Sequence, residues 1–460
     1  MVPASFPGWN RRIVPWLAAG AATVLVVATF HPGYMSLDSI DQLSQARAGV
    51  FSDWHPPAMA WLWRQIDRVF PGPGGMLLIQ NLCFSTALAL VFGTLFPPLP
   101  AGILVLGVVM LPPVFGLLST IWKDVELGAT ALMAFALLLR YSVTRSRWHL
   151  AASVIPIFWT CAVRQNGAAA IAPMTAWAAW LLRDALPWRT APLSRWLSAS
   201  LGFLACVAFF LLGTGWNSLL ASTRLHPEQA LYLHDLTAVS LARNEDLLPD
   251  YLRNDPSVAT LDELRQIFRH DSAAPLLWNS KRHLRFSQNE QHLADLRKRW
   301  QTAILHNPGA YLRHRLELTR HLLSLGTENP ENVFFEATPR PSRLTAMATR
   351  VLRSTASTLL FSGWLYLLMA GGALFIGRMR RIPTEWFLPM VVLATSGLFY
   401  SLPYAVLAPA VAFRYLWWTA VASLLCLLFA FAPRKPAASP RNGGESAPAG
   451  LGGSSPLAPS

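Results

Sequence analysis

The chain has 460 residues, of which 53% are hydrophobic and 13% charged, with a formal net charge of +14. Several apolar runs approach the ~20 residues that cross a bilayer as helix, so composition excludes a soluble globular protein and reads as a polytopic membrane protein. The positive charge follows the topology set out below and calls for no nucleic-acid partner.

The first apolar run, about Ile13 to Phe30, follows Arg11-Arg12 as a signal peptide would. Val27-Ala28-Thr29-Phe30-His31-Pro32 offers no clean small-x-small cleavage site, so the run is expected to stay as a signal anchor. It delivers the chain to Tyr34-Met35-Ser36-Leu37-Asp38-Ser39-Ile40-Asp41. Two carboxylates one helical turn apart at the mouth of a span are costly near hydrocarbon and mark a candidate site. The pattern from Asp38 to Gly49 predicts a short helix, with Asp38 or Ser36 as N-cap, Ile40 and Leu43 on one face and Gly49 as the stop. After Trp54-His55, Pro56-Pro57 starts a second helix whose Met59, Leu62, Trp63, Ile66 and Phe70 form an amphipathic stripe, with Trp at interfacial height. These two helices make a platform beside Asp38. The purely structural account has Asp38 capping a helix, Asp41 solvated and His55 packing on the Pro-Pro turn.

Further spans are predicted at about 76–96, 101–118, 125–139, 150–163, 167–182, 196–216, 354–376, 386–402 and 415–431, which makes about ten in all. With a cytoplasmic N-terminus, the inside segments hold Arg11, Arg12, Arg140, Arg145, Arg147, Arg183, Arg189, Arg195, Arg378, Arg380, Arg381, Arg434, Lys435 and Arg441. The short outside loops hold only Arg47, Arg64, Arg68, Lys123, Arg164 and Arg414. That bias of roughly two to one has the sign the positive-inside rule requires. It places Asp38, Asp41, His55, Trp122-Lys123-Asp124, Arg164-Gln165-Asn166 and Arg414-Tyr415 on one, non-cytoplasmic, face of the plasma (inner) membrane. The same face receives residues 217–353, a stretch of mixed charge and helical periodicity that reads as one exported α-helical domain of roughly 130 residues. Within it Asn307 is placed to cap and Pro308 to open a basic helix containing Arg313, His314, Arg315, Arg320 and His321. Residues 354–432 close the bundle, and the Pro/Gly/Ser/Ala-rich tail, 433–460, is too poor in large apolar residues to fold.

The four cysteines, Cys83, Cys161, Cys206 and Cys426, all fall in predicted spans, so no disulfide framework is expected. The chain has no zinc-type Cys/His spacing, Walker loop or GxGxxG. Nucleotide-dependent chemistry is thereby disfavoured. Asp38 and Asp41 would hold a divalent cation only if substrate and water completed its shell.

Asp38 after the first span, two surface helices, His55-Pro56-Pro57 before the second span, and Asp124 in the second outside loop form an ordered set. In this it resembles the GT-C superfamily of integral-membrane glycosyltransferases, over about the first 180 residues in topology and motif order and beyond that in architecture alone. The resemblance implies an all-α polytopic membrane fold and a catalytic module over residues 1–216, with its first outside loop at 31–75. The implied reaction transfers sugar from a polyprenyl-phosphate carrier to a lipid, glycan or protein acceptor outside the cytoplasmic leaflet. Inverting displacement needs a carboxylate to take the acceptor proton and cations to hold the leaving phosphate. Asp38 is the expected base, with Asp124 as a second catalytic carboxylate. Lys123, Arg164 and Arg414 are the expected phosphate ligands, with Asp41, His55, Asn166 and Tyr415 beside them. Two other readings use the same topology. A lipid-linked glycan flippase would show internal repeats and midplane charges, and an O-antigen ligase or polymerase would rely on Arg313, His314 and Arg315 without needing Asp38.

Overall fold

Helices follow the apolar runs because a backbone in hydrocarbon must satisfy its own hydrogen bonds. The structure, a computed structural model, describes residues 12–183, 194–255, 259–278, 283–329 and 342–432; the tail expected at 433–460 lies outside them. The first half runs α1 (Val14–Phe30), α2 (Leu37–Ala48), β1 (Phe51–Ser52), α3 (Ala58–Asp67), α4 (Gly74–Leu95), α5 (Pro98–Met110), α6 (Pro112–Leu118), α7 (Lys123–Thr144), α8 (Arg147–Val163), α9 (Gly167–Arg183) and α10 (Ser194–Leu220). An insert follows with β2 (Ala221–Thr223), α11 (Glu228–Arg243), α12 (Leu261–Ile267), α13 (Ala274–Leu277), α14 (Glu290–His306) and α15 (Pro308–Leu322). The chain then forms α16 (Arg343–Thr355), α17 (Gly363–Met379), α18 (Thr384–Leu407), a 3-10 turn at Phe413–Leu416 and α19 (Trp417–Ala430).

Among the described residues five helices are long and apolar enough to cross a membrane: α4, α7, the Trp196–Leu220 part of α10, α18, and the Phe413–Ala430 stretch ending in α19. The chain is a helical membrane protein. α1 and α17 are apolar but shorter. Two predicted spans are reshaped. The run at 101–118 is bent by 71° between α5 and α6, because Pro112 and Pro113 have no N–H to continue α5 and force Leu111 into extended geometry. The run at 354–376 begins only at Gly363. The residues ahead of it form a 3-10 turn, Leu359–Phe361.

One apolar core joins the spans, with Phe30, Phe84, Phe92, Phe135, Trp417 and Trp418 fully buried. The insert has its own core around Leu233, Leu236, Leu252, Leu264, Leu276 and Leu296. Within the expected 217–353 stretch, Leu318 and Leu322 of α15 and Ala348 and Leu352 of α16 pack into the core of the spans. Pro308 opens α15 as expected, but Asn307 makes no side-chain cap bond and donates instead to the Ala303 carbonyl at 3.1 Å.

Candidate functional site

The bend between α5 and α6 sets up the site. It returns the chain so that residues 120–122 run beside Tyr34, with Tyr34 N donating to Ser119 O at 2.9 Å and Ile121 N to Tyr34 O at 3.0 Å. Gln80 Nε2 and Asn81 Nδ2, side chains of α4, donate to the carbonyls of Leu118 and Thr120 that the broken helix leaves open. Ser39 Oγ donates to Ile121 O at 2.6 Å and Trp122 Nε1 to Ser36 Oγ at 2.7 Å. These bonds lock the start of α2 to the start of α7. Asp38 and Asp124 each sit in the first turn of their helix, where the free N–H groups favour negative charge.

Ser36 is the N-cap of α2 and Gly49, at φ 71°, its left-handed stop. Asp38 is therefore free of capping duty. Its Oδ2 accepts from Arg414 Nη1 at 2.8 Å, and its Oδ1 lies 3.6 Å from His55 Nε2. On the other side of the imidazole, His55 Nδ1 is 2.5 Å from Lys123 Nζ. When Lys123 Nζ donates, Nδ1 accepts and the ring proton sits on Nε2, the nitrogen nearer Asp38. Burial first, and then the Lys123 charge, push the His55 pKa down to about 4, leaving the ring neutral at physiological pH. For Asp38, burial works to raise the pKa, but the Arg414 guanidinium, helped by His55 and Lys123, holds the carboxyl well below the usual carboxylate range.

Asp124 is fully buried and pairs with Arg164 Nη1 through Oδ1, which also accepts from Tyr400 at 3.2 Å. Its Oδ2 lies 4.0 Å from Arg414 Nε. Arg414 thus faces both carboxylates. Tyr415 stacks on Tyr404 at 4.6 Å, and both guanidiniums lie against the Tyr415 ring, Arg164 at 5.2 Å and Arg414 at 5.4 Å. Trp122 covers Arg414 from another side at 4.8 Å. Asn166 is near but faces away from the carboxylates, donating to the Tyr400 carbonyl at 3.2 Å.

The structure brings Asp38, His55, Lys123, Asp124, Arg164, Arg414 and Tyr415 into one cluster, although they are spread over almost 400 residues of sequence. Asp41 stays out of it: the side chain is exposed and accepts from Gln45 Nε2 at 2.6 Å. The cation pair expected of Asp38 with Asp41 is not preorganised, since Asp38 already faces Arg414 and His55. Among the described residues no group of three or more His, Cys, Asp and Glu side chains is arranged to hold a metal ion. Arg164 and Arg414, expected to share one phosphate, each contact a carboxylate in this state.

The α3 stripe faces inward. Met59 and Trp63 are fully buried against α2 and the start of α4, Leu62 is half-buried and only Phe70 is open. Ile40 of α2 is likewise exposed while Leu43 is buried. The platform is thus held by its own small core, together with Met35, Ala46, Met76 and Ile121. Tyr400 and Tyr404, the aromatic walls of the cluster, were not expected from sequence. They read as apolar residues of a span, and only their spacing of one helical turn hinted at a shared face. Glu126 was missed too: it is buried one turn beyond Lys123 and accepts from Trp159 Nε1 at 2.5 Å.

Asp38, Trp122, Arg414 and Tyr415 line a cavity of about 1220 Å³ whose opposite wall comes from the insert, at Arg269, Asp271, Ser272 and His321. The two walls are stitched together. Ser272 bridges Ala410, Ala273 N donates to Pro409 O at 2.8 Å, Val411 N to Asp271 O at 2.9 Å, and Arg315 Nη1 to Ala408 O at 2.7 Å. A second seam joins the parallel pair β1 and β2, and Trp54 meets Trp278 and Phe286 at 6.0 and 5.5 Å. The cavity therefore opens between a cluster of charges at the ends of the spans and a docked helical insert.

No family model, curated protein or solved structure matches this chain.

Proposed function

We propose that this chain is a membrane glycosyltransferase of GT-C type, with about ten transmembrane segments, which moves a sugar from a polyprenyl-phosphate carrier to a lipid or glycan acceptor of the cell envelope. The observation that carries the reading is the contact of Asp38 with Arg414 at the wall of a cavity, 2.8 Å apart. A carboxylate that can take a proton stands beside a guanidinium that can take a phosphate. In the reaction the acceptor oxygen bonds to the anomeric carbon, the bond from that carbon to the phosphate oxygen breaks, the proton passes to Asp38 and the phosphate leaves with the electron pair. Arg414 links the two halves of this step. While it holds Asp38, the carboxylate is a weak base; a phosphate that draws the guanidinium away makes it a stronger one. Lys123 and Arg164 stand on the same side as further donors to the phosphate, and the His55 ring flanks the carboxylate with Nε2 3.6 Å from Oδ1. Acceptor recognition falls to the insert wall at Arg269, Asp271 and His321.

Neither alternative finds a comparable arrangement. His314 and Arg315, on which a ligase or polymerase would rely, are buried in the insert around Asp235, with Arg315 Nη2 2.6 Å from its carboxylate. The charged groups that a flippase would place along a midplane path gather here at one end of the spans. Purified protein in detergent micelles is expected to transfer sugar from a polyprenyl-phosphate donor, a reaction that needs no second compartment. Donor translocation in proteoliposomes, with no transfer in micelles from any polyprenyl-phosphate sugar, would replace the enzyme with a flippase.

The reading also carries a topology: both termini on the cytoplasmic side of the plasma (inner) membrane and the cluster and insert on the other. A membrane-impermeant thiol reagent on intact cells is expected to label a single cysteine at position 290 and to spare those at 145 and 380. The reverse pattern would invert the topology.

A further inference from the structure

α16 has three faces, which follow from the turn of about 100° per residue. Thr345, Ala348 and Leu352 are buried. They hold the helix to the ends of the spans: Thr345 Oγ1 donates to Thr29 O at 2.6 Å, Thr349 Oγ1 lies 2.9 Å from the Tyr34 hydroxyl, and Leu352 packs beneath Gly116 of α6. A second face carries Leu344, Met347 and Val351, which are 38%, 60% and 49% exposed. The third carries Arg343, Arg350 and Arg353, all exposed and without a carboxylate partner among the described residues. The helix contains no acidic residue.

We propose that α16 is a docking surface for anionic phospholipid headgroups. Its attachment to the last turn of α1 sets it at the depth where a span leaves hydrocarbon. There the Leu344, Met347 and Val351 stripe enters the acyl region, and the arginines extend their apolar stems along it to reach phosphate. Three guanidiniums without a carboxylate partner among the described residues, on a helix with no acid, are complementary to a negatively charged leaflet, at about fivefold in affinity for each arginine near the surface. A zwitterionic leaflet would satisfy the stripe and leave the cations without a counter-charge. This inference is independent of the glycosyltransferase reading and needs no substrate to test.

The test is lipid-specific quenching. The full chain with its four cysteines replaced by alanine and Met347→Cys labelled with bimane is reconstituted with brominated phosphatidylcholine or brominated phosphatidylglycerol in an otherwise phosphatidylcholine bilayer. Both are expected to quench, and the brominated phosphatidylglycerol by several-fold more than its mole share. Arg343→Gln/Arg350→Gln/Arg353→Gln is expected to abolish that preference while quenching by phosphatidylcholine persists; the single Arg→Gln variants should each remove part of it, which guards against misfolding of the triple variant. Absence of quenching by either lipid would mean that the stripe faces water or a protein partner, and would overturn the proposal. So would equal quenching by the two lipids, or loss of the preference on changing Arg313 and Arg320 of α15 and not on changing α16.

Discussion

Replacing Asp38 by asparagine is expected to lower glycosyl transfer by roughly a hundredfold or more while leaving expression and insertion unchanged. An amide of equal size keeps the contact with His55 but cannot take a proton, and Ser36, not Asp38, caps α2. The pH profile adds a second reading of the same residue. Because the native carboxyl titrates well below the usual carboxylate range, the stabilisation it contributes is complete above the unfolded-state pKa of about 3.9 and is lost only as pH falls through the lower native value. The acid limb of kcat/KM, which reports the free enzyme, should therefore lie below the usual carboxylate range. Arg414→Gln removes the main lowering influence and leaves burial, which raises the pKa, so that limb should move upward. The limb of kcat should lie higher than that of kcat/KM in the parent, because bound phosphate competes for Arg414. Near-normal turnover of Asp38→Asn would remove Asp38 from the chemistry.

Asp124→Ala is expected to destabilise the protein by about 3 to 5 kcal/mol, because it leaves the Arg164 charge without its carboxylate, and Arg164→Ala by less, because Arg414 and Tyr400 still face Asp124. Asp124 is fully buried, and the Arg164 side chain is only 14% exposed. The double replacement Asp124→Leu/Arg164→Met removes both charges at similar volume and should recover most of that loss. Thermal unfolding in detergent across the four proteins compares these losses with the recovery. Single variants that melt like the parent would show that the pair contributes nothing to folding and leave both groups free for substrate.

Much of this site was legible in the sequence because cost made it visible. Charged residues are rare in this chain, so Asp38, Lys123-Asp124, Arg164 and Arg414 stand out at the ends of apolar runs, and the positive-inside count puts them on one face. Their partners could not be read. A topological argument fixes a side of the membrane to within the length of a side chain, whereas whether Arg414 meets Asp38 or open water depends on the loop at 408–412 and the stretch at 119–122. The missed aromatics have the same origin. Tyr400 and Tyr404 carry hydroxyls on a span whose periodicity reports only that it is apolar, and no local pattern says that Tyr400 reaches Asp124. The platform was misjudged for a different reason: the α3 stripe is equally suited to lipid and to protein, and the neighbouring α2 decided in favour of protein. The bend between α5 and α6 was written in Pro112-Pro113, but hydropathy averaged over a window passes across it.

The stitching between the insert and residues 408–412 limits how this protein can be taken apart. Asp271, Ser272 and Ala273 pair through the backbone with Val411, Ala410 and Pro409 respectively, and the chain reaches Arg414 only three residues after Val411. An excision at the sequence boundaries of the insert would leave that strand-like segment with open amides and carbonyls directly before the residue that holds Asp38. A chimera exchanging the insert for another would have to exchange residues 408–412 with it, and the natural unit of recombination in this chain is thus a discontinuous one.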